Sequence, residues 1–286
     1  MITKTQFKKE LEIIIDNAIR EDVGDGDHSS LASIPENATG KAQLLVKDNG
    51  IIAGVEFAKM VFQHVDANLK FKKYIDDGEI IRYGDIAFIV EGKSQSILQA
   101  ERLVLNAMQR MSAVATKTKR YVDLLNDYNT RILDTRKTTP GIRALEKWAV
   151  KIGGGTNHRF GLYDMVMLKD NHIDFAGGIE KAILKTNAYL KKNKLNIKIE
   201  IETRNTDEVQ EVLRVGQVDR IMLDNFSYED LRKAVKLIGN RFETEASGGI
   251  TEETLKKYAE CGVDFISSGA LTHSVSNMDF SLKAIK

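Results

Sequence analysis

A chain of 286 residues has room for one large folded domain or two modest ones, and 42% hydrophobic with 29% charged residues is typical of water-soluble globular proteins. The formal net charge of +1 argues against general nucleic-acid binding, which usually requires a strongly basic balance. A single cysteine, Cys261, excludes an intramolecular disulfide and a cysteine-based metal cluster.

The first part of the chain mixes helical and strand patterns. Apolar residues at helical spacing predict an amphipathic helix around 7–19, unlike the apolar core of a signal peptide. Because no apolar run is long enough to cross a bilayer either, we expect a cytoplasmic protein without a membrane partner. Strand candidates separated by glycine-containing turns follow at 42–47, 50–55, 80–82 and 86–91, and then a long helix at about 96–125.

From about residue 130 the pattern alternates between strand and helix. Strand candidates lie at 131–134, 165–168, 197–201, 220–223, 242–246 and 265–267, with helices such as 228–238 and 252–261 between them. This alternation predicts a parallel sheet covered by helices. The segment is only about 145 residues long, whereas a complete eight-stranded β/α barrel takes about 250, so we expect an open, incomplete α/β barrel of six or seven strands.

Four residues are evenly spaced along the last strand–helix units. Glu202, Asp224, Ser247 and Gly269 are 22 or 23 residues apart, and each follows a strand candidate. Because the carboxyl ends of barrel strands open onto one face, we expect these four positions to surround one cavity.

Basic residues point to an anionic ligand at the same face. Arg136 and Lys137 follow a strand, where they are either a solvated surface pair or cations aimed into the barrel mouth. Three glycines precede His158 and Arg159, a pattern that suits close backbone approach to a ligand better than a flexible linker. Lys169 ends a further strand. A local basic excess in a neutral chain indicates a small anion rather than a polyanion.

Acids and serine–glycine loops complete the candidate site. Glu202 and Asp224 fit a general acid/base pair, a Mg²⁺ site or structural salt bridges. The loops 247–249 and 268–270 follow late strands, where barrels commonly bind phosphate. Neither a Walker A motif nor a Gly-x-Gly-x-x-Gly pattern that opens a helix is present, which disfavours nucleoside triphosphates and dinucleotides.

Motifs along most of the chain resemble those of the quinolinate phosphoribosyltransferase family. They are Glu-Asp-Val-Gly at 21–24, Ala-Glu-Arg at 100–102, Asp-Thr-Arg-Lys-Thr-Thr-Pro-Gly at 134–141, Gly-Gly-Gly at 153–155 with Asn-His-Arg at 157–159, Leu-Lys-Asp-Asn-His at 168–172, Leu-Asp-Asn-Phe at 223–226, Glu-Ala-Ser-Gly-Gly-Ile at 245–250 and Gly-Ala-Leu-Thr-His-Ser at 269–274. The resemblance implies a pentosyltransferase that joins quinolinate to phosphoribosyl pyrophosphate, with loss of carbon dioxide and pyrophosphate, on the route to NAD.

The resemblance also implies a role for each matching position. Those expected to bind quinolinate are Arg102, Arg136, Lys137, His158, Arg159 and Lys169. Those expected to bind phosphoribosyl pyrophosphate are Thr135, Lys137, Lys169, Glu202, Asp224, Ser247, Gly248, Gly249, Ser268, Gly269 and Ala270. Lys137, Glu202 and Asp224 are the implied catalytic residues, and the two acids are also the implied contacts of a Mg²⁺ ion, directly or through water.

The implied architecture is an N-terminal α/β domain at 1–112 and a barrel domain at 113–274, with the tail 275–286 packed back on the N-terminal domain. The resemblance also implies a homodimer in which Arg102 of one protomer reaches into the active site of its partner. Glu202 is preferred to Glu200 as the functional acid because it lies nearer the carboxyl end of its strand. Arg204 departs from the family pattern, and His28 is given no role.

Three alternatives stay open on the sequence alone. A related phosphoribosyltransferase could use another pyridine carboxylate, and it would need one carboxylate contact fewer than quinolinate does. A non-catalytic phosphosugar sensor on the same barrel would keep the loop 247–249 without needing both Glu202 and Asp224. A dimeric scaffold would leave the basic cluster without a purpose.

Overall fold

The computed structural model describes residues 3–285, which form two compact units. The N-terminal unit consists of Thr3–Lys119, Thr138–Gly154 and the residues from Leu271 onward. The barrel unit consists of Arg120–Lys137 and Gly155–Ala270. The predicted boundaries differ from this division chiefly at residues 138–154, which group with the N-terminal unit although they lie inside the predicted barrel segment.

The N-terminal unit combines antiparallel strands with helices. Its elements are α1 (Lys4–Val23), α2 (His28–Ser33), β1 (Thr39–Val46), β2 (Gly50–Ile51), α3 (Val55–Val65), β3 (Lys70–Lys73), β4 (Ile80–Ile81), β5 (Ile86–Lys93), most of α4 (Ser94–Leu124), α5 (Arg143–Ile152), α11 (Ala270–His273) except its first residue, and β12 (Phe280–Ile285). The strands form a four-stranded sheet in the order β12-β1-β5-β3 and a small pair, β2-β4.

The core of this unit lies between the four-stranded sheet and its helices. Phe62 of α3 meets the ring of Phe88 on β5 at 5.9 Å in an edge-on arrangement, and Phe71 of β3 stacks against Phe88 at 4.6 Å. Such aromatic pairs bury large apolar areas and add specific ring contacts. The buried Ser112 hydroxyl of α4 accepts the Ala53 amide at 2.9 Å, which ties the long helix to the segment after β2.

The predicted strand 50–55 is wrong beyond Ile51. Gly54 has a left-handed φ of 98°, and α3 begins at the next residue. The Asp77 carboxylate accepts the Val55 amide at 2.8 Å and so caps the start of that helix. Because Asp77 is far from Val55 along the chain, the residues next to Val55 do not indicate that a helix begins there.

Two later segments join the N-terminal unit. Trp148 of α5 meets Phe7 of α1 edge-on at 5.6 Å. Strand β12 pairs antiparallel with β1, with Leu282 opposite Leu44 and Phe280 opposite Val46. The final strand therefore extends the N-terminal sheet.

The barrel unit alternates short parallel strands with helices. Its elements are the end of α4, β6 (Arg131–Leu133), β7 (Val166–Leu168), α6 (Asp170–Ala176), α7 (Ile179–Lys192), β8 (Ile199–Thr203), α8 (Thr206–Val215), β9 (Arg220–Asp224), α9 (Tyr228–Ile238), β10 (Glu243–Ser247), α10 (Leu255–Ala259) and β11 (Phe265–Ser267). The six strands lie in the order β6-β11-β10-β9-β8-β7. Because β6 and β7 are the two edges of this sheet, the barrel is open, and the predicted fold class is confirmed.

Local capping explains where several barrel helices begin. The Asn205 side chain accepts the Glu208 amide at 2.9 Å, and the Ser227 hydroxyl accepts the Asp230 amide at 3.2 Å. Helix α10 is shorter than predicted because residues 252–254 form a turn in which the Thr254 hydroxyl accepts the Thr251 amide. Cys261, just after this helix, is buried and free, as a small core residue would be.

Candidate active site

A cavity of about 330 Å³ opens at the carboxyl ends of the barrel strands. Seven residues predicted for the site line it: Thr135, Arg136, Lys137, His158, Arg159, Lys169 and Ser247. Four further residues, Met167, Met222, Glu245 and Ser267, complete the lining. The strand ends therefore bring the basic residues of the middle of the chain to one cavity. Of the four evenly spaced positions expected to surround it, Ser247 lines the cavity, whereas Glu202, Asp224 and Gly269 are not among its lining residues. The other predicted phosphate contacts outside this lining are Gly248, Gly249, Ser268 and Ala270.

The basic pair after β6 stands at the rim of this cavity. Arg136 and Lys137 are both exposed. The Thr135 hydroxyl accepts the Lys137 amide at 3.0 Å, so a tight local turn carries the two cations past the end of β6. The guanidinium of Arg136 and the ammonium of Lys137, both exposed at the rim, can bind an anion that enters from solvent.

A second guanidinium lies deeper. Arg159 is 9% exposed, and its Nη1 donates to the Met165 carbonyl at 3.2 Å. Burial lowers the pKa of Arg159, and the charge of Arg136 lowers it further. Two guanidinium groups that repel one another over a cavity are stabilised by a bound anion, and the planar fork of arginine matches a carboxylate.

Carboxylates lie on the neighbouring strands. Lys169 Nζ, at the end of β7, donates to Glu202 Oε2 on β8 at 2.9 Å. Burial raises the pKa of Asp224 at the end of β9, and the negative charge of Glu202 raises it further. These two acids are therefore near enough to repel one another, and positive charge between them is favoured. Carboxylates in this arrangement, with phosphate oxygens from a ligand, are the ligands that Mg²⁺ prefers.

The loop after β10 contains two consecutive glycines with positive φ angles. Gly248 has a φ of 101°, and an added Cβ would overlap the side chain of Asn225. Gly249 has a φ of 58°, and its Cβ position is open. Successive glycines in such conformations turn backbone N–H groups toward a common point, as phosphate-binding loops do.

The loop after β11 is partly committed to the fold. Ser268 is 4% exposed, its amide donates to the Leu133 carbonyl at 3.0 Å, and its hydroxyl donates to the Ile250 carbonyl at 3.4 Å. Gly269 and Ala270 are more accessible. The Ser268 amide and hydroxyl are therefore both used within the fold, and any contact of this loop with a ligand would come from the backbone after Ser268.

His158 lies lower in the barrel than the other predicted ligands. Its side chain is 4% exposed, with Nε2 at 3.0 Å from Glu200 Oε2 and 3.5 Å from Glu245 Oε2. Burial lowers the pKa of His158, but the two carboxylates outweigh burial and raise it. The Arg159 amide donates to Nδ1 at 2.7 Å, so Nδ1 acts as a hydrogen-bond acceptor and protonation of this atom is opposed. His158 therefore forms the floor of the cavity and directs Nε2 toward buried acids.

Alternation along the strands could have revealed these buried groups. Glu200 is in phase with Glu202, Glu245 with Ser247, and Arg220 with Asp224, so all three lie on the inward face below the site. His158, Glu200 and Glu245 each offer a ligand atom within 4.8 Å of the others, a spacing that could hold a metal ion. Arg220 Nη1, however, lies 2.9 Å from Glu245 Oε2 and already supplies positive charge.

Other positions named from the sequence lie outside this cavity. Arg102 is exposed on α4 in the N-terminal unit, where it lines a separate depression with Glu21 and Asn106. Arg204 pairs with Glu208 at 2.7 Å and with Asp174 at 3.5 Å, so its charge is held on the outer surface. Gly153 faces the Ala115 carbonyl so closely that a side chain could not fit, which gives this glycine a packing role.

The fold and the site together define an α/β-barrel enzyme that binds a multiply charged anion at its strand carboxyl ends. Family models match two stretches of the chain: the N-terminal domain of quinolinate phosphoribosyl transferase at residues 27–112 and its C-terminal domain at residues 114–283. The chain therefore belongs to the quinolinate phosphoribosyltransferase family, and the predicted pentosyltransferase class is confirmed with it.

Relatives and solved structures agree with this assignment. The chain is 48% identical over 289 residues to quinolinate phosphoribosyltransferase [decarboxylating] 1b of Nicotiana tabacum, covering 96% of this chain and 82% of the relative. It is 41% identical to a probable nicotinate-nucleotide pyrophosphorylase [carboxylating] of Bacillus subtilis, with 96% and 93% covered. The crystal structure of NadC from Streptococcus pyogenes has a TM-score of 0.89 at 37% identity, covering 100% of this chain and 99% of that one.

Among the helices between residues 3 and 285, none is both long and apolar enough to cross a bilayer.

Proposed function

We propose that this protein transfers the phosphoribosyl group of phosphoribosyl pyrophosphate to the ring nitrogen of quinolinate. The products are nicotinate mononucleotide, pyrophosphate and carbon dioxide, a step of NAD biosynthesis. The observation that carries the proposal is the meeting of Arg136 and Arg159 with the Lys169–Glu202 pair and Asp224 at one edge of the barrel sheet. Relatives named as decarboxylating quinolinate phosphoribosyltransferases support it.

The acceptor is held by the cations. Quinolinate carries two adjacent carboxylates, and Arg136 and Arg159 offer two planar forks on one cavity. Lys169 adds a third cation on the same cavity, and the His158 ring forms the floor beneath the acceptor. Fixing both carboxylates directs the ring nitrogen toward the ribose, which is catalysis by positioning.

The donor is held by the other half of the rim. Thr135 and Lys137 contact its phosphates, with Lys137 as a compact charge that can follow the pyrophosphate. The backbone amides of 247–249, Gly269 and Ala270 bind the 5-phosphate, for which the left-handed glycines of the first loop are suited.

The chemistry needs charge stabilisation more than covalent help. As the bond between ribose C1 and pyrophosphate breaks, positive charge develops on the sugar, and Glu202 and Asp224 stabilise it electrostatically. After the nitrogen bonds to C1, the ring is cationic. It accepts the electron pair of the carbon–carbon bond as the adjacent carboxylate leaves as carbon dioxide, and the ring carbon then takes up a proton. Decarboxylation on such a ring requires no separate electron sink.

We include a Mg²⁺ ion that Glu202 and Asp224 hold together with the pyrophosphate, directly or through water. The residues fit the ion, since both are carboxylates. The pKa of Asp224 is raised by burial and by the charge of Glu202, and a cation bound between the two acids would reduce this repulsion. Bound Mg²⁺ would neutralise charge on the leaving pyrophosphate. Chelation with EDTA should abolish turnover and added Mg²⁺ should restore it, whereas undiminished turnover in EDTA would remove the ion from the account.

The working unit is proposed to be a homodimer in which Arg102 completes the site of the other protomer. Its exposure on α4 supports this role. The test mixes two inactive variants, Arg102→Ala and Lys137→Ala, under conditions that exchange protomers. Mixed dimers restore one intact site out of two, so activity should return to about a quarter of the wild-type value. A mixture that stays inactive would place both residues in the same protomer's site.

The activity itself is tested by an assay with phosphoribosyl pyrophosphate and either quinolinate or nicotinate as acceptor. Quinolinate should release carbon dioxide and pyrophosphate in equal amounts, and nicotinate should react far more slowly because it lacks the second carboxylate. The Lys137→Ala variant is the inactive control. Preference for nicotinate would indicate a related phosphoribosyltransferase that uses another pyridine carboxylate. Binding without turnover would support the non-catalytic phosphosugar sensor. Cytoplasmic location stays a prediction, to be checked by cell fractionation.

A further inference from the structure

The interior of the barrel beneath the cavity is charged. Arg220 Nη1 lies 2.9 Å from Glu245 Oε2, and Glu245 Oε2 is 3.5 Å from His158 Nε2. The same nitrogen is 3.0 Å from Glu200 Oε2. Glu200 and Glu245 are completely buried, and Arg220 is 8% exposed. We call these four residues the floor network.

Such a network is costly for the fold alone. Barrel interiors are usually filled by branched apolar side chains, and a buried ion pair often stabilises a protein no more than an apolar replacement does. Here Arg220 also stacks on the Phe265 ring at 4.1 Å, so residues of four adjacent strands take part. Because buried charged clusters are common at functional sites, this cluster directly below a ligand cavity is expected to contribute to ligand binding or catalysis.

The network determines how the cavity floor is held. Nε2 of His158 is fixed between the two carboxylates, and its Nδ1 accepts the Arg159 amide at 2.7 Å. The His158 amide donates to Asp134 Oδ1 at 2.8 Å. The ring of His158 is thus restrained at both nitrogens and its backbone at the amide. These contacts also fix the direction of the backbone at the next residue, Arg159.

We propose that Glu245, Glu200 and Arg220 are positioning residues for the acceptor, acting through His158 and Arg159. This inference rests on the proposed function, because Arg159, which the His158 ring positions, is proposed to bind an acceptor carboxylate. The ion pairs of the network lead to His158 and, through Nδ1 of its ring, to the Arg159 amide, which belong to the acceptor side of the cavity. Its loss should therefore affect quinolinate and leave the donor largely unaffected.

The test begins with Glu245→Gln, which keeps the shape of the side chain and removes its charge. The KM for quinolinate should rise about tenfold or more, as expected when a buried charged partner is lost, and the KM for phosphoribosyl pyrophosphate should stay within about twofold. The matched control is Glu243→Gln. Glu243 also pairs with Arg220, at 3.1 Å, but its other partner is Lys198, also at 3.1 Å, rather than a group of the cavity, so the KM of this variant for quinolinate should stay near the wild-type value.

A second variant separates positioning from stability. Glu245→Gln alone leaves Arg220 buried with less compensation, and the double variant Arg220→Met/Glu245→Gln removes that charge and should recover the melting temperature. The KM for quinolinate should nevertheless stay high, because His158 keeps only one of its two carboxylate partners, Glu200. If the KM recovers together with the melting temperature, the network is only structural and the proposal is overturned.

Two other results would also overturn it. An equal rise in both KM values would mean that the network acts on the whole site rather than on the acceptor. One equivalent of metal that stays bound to the purified wild-type protein and is lost in Glu245→Gln would instead make His158, Glu200 and Glu245 its ligands. A wild-type enzyme that turns over no quinolinate refutes the proposed function and this inference with it, whereas an active enzyme with an unchanged quinolinate KM in Glu245→Gln refutes this inference alone.

Discussion

Replacement of Gly248 by alanine tests the phosphate loop most sharply. At a φ of 101° an alanine is strained by about 1–3 kcal/mol, and its Cβ would overlap the Asn225 side chain. Asn225 Nδ2 donates to Asp224 Oδ2 at 2.7 Å, so moving it also disturbs that acid. Gly249→Ala is the matched control, because its φ of 58° costs about 1–2 kcal/mol and its Cβ meets open space.

The displaced loop should lose one or two charged hydrogen bonds to the 5-phosphate, each contributing about 1.5–3 kcal/mol. Gly248→Ala should therefore raise the Kd for phosphoribosyl pyrophosphate about 10- to 100-fold or more, and Gly249→Ala should raise it less than about threefold. Isothermal titration calorimetry measures both values, and melting temperatures establish that both variants are folded. A Gly248→Ala protein that binds the donor as tightly as wild type would refute the assignment of this loop.

Three further substitutions separate the roles in the site. Arg136→Ala should raise the Kd for quinolinate about 10-fold or more and that for the donor less than about threefold; equal losses by calorimetry would contradict its role. Glu202→Gln should lower kcat about 100-fold with small changes in KM, and a retained kcat would exclude charge stabilisation by this acid. Asp224→Asn should raise the melting temperature of the ligand-free protein, because it removes a partly buried charge beside Glu202, yet lower kcat; a fall in melting temperature would argue against that repulsion.

The strand ends of the barrel were predictable because local pattern and topology agree there. Buried parallel strands appear as short apolar runs, and β9 and β11 begin and end within a residue of the predicted ranges. Glu202, Asp224 and Ser247 are then brought to one edge by the parallel arrangement itself. The basic residues could be assigned to the same edge because each follows a strand.

Elements set by distant contacts were not predictable. Strand β3 is almost entirely lysine and is a strand only because β5 pairs with it. The orientation of His158 depends on Glu200 and Glu245, which lie more than one strand–helix unit away. The glycine run 153–155 carries a local signal for ligand approach, but packing of Gly153 against the Ala115 carbonyl accounts for its first member.

The central claim is that one cavity holds both substrates between its cations and its acids. A crystal structure with quinolinate and an unreactive phosphoribosyl pyrophosphate analogue tests it directly. We expect the two quinolinate carboxylates on Arg136 and Arg159, the 5-phosphate on the amides of 247–249, and the ribose C1 beside Glu202 and Asp224. Quinolinate bound away from both arginines, or a phosphate bound outside the glycine loop, would contradict it.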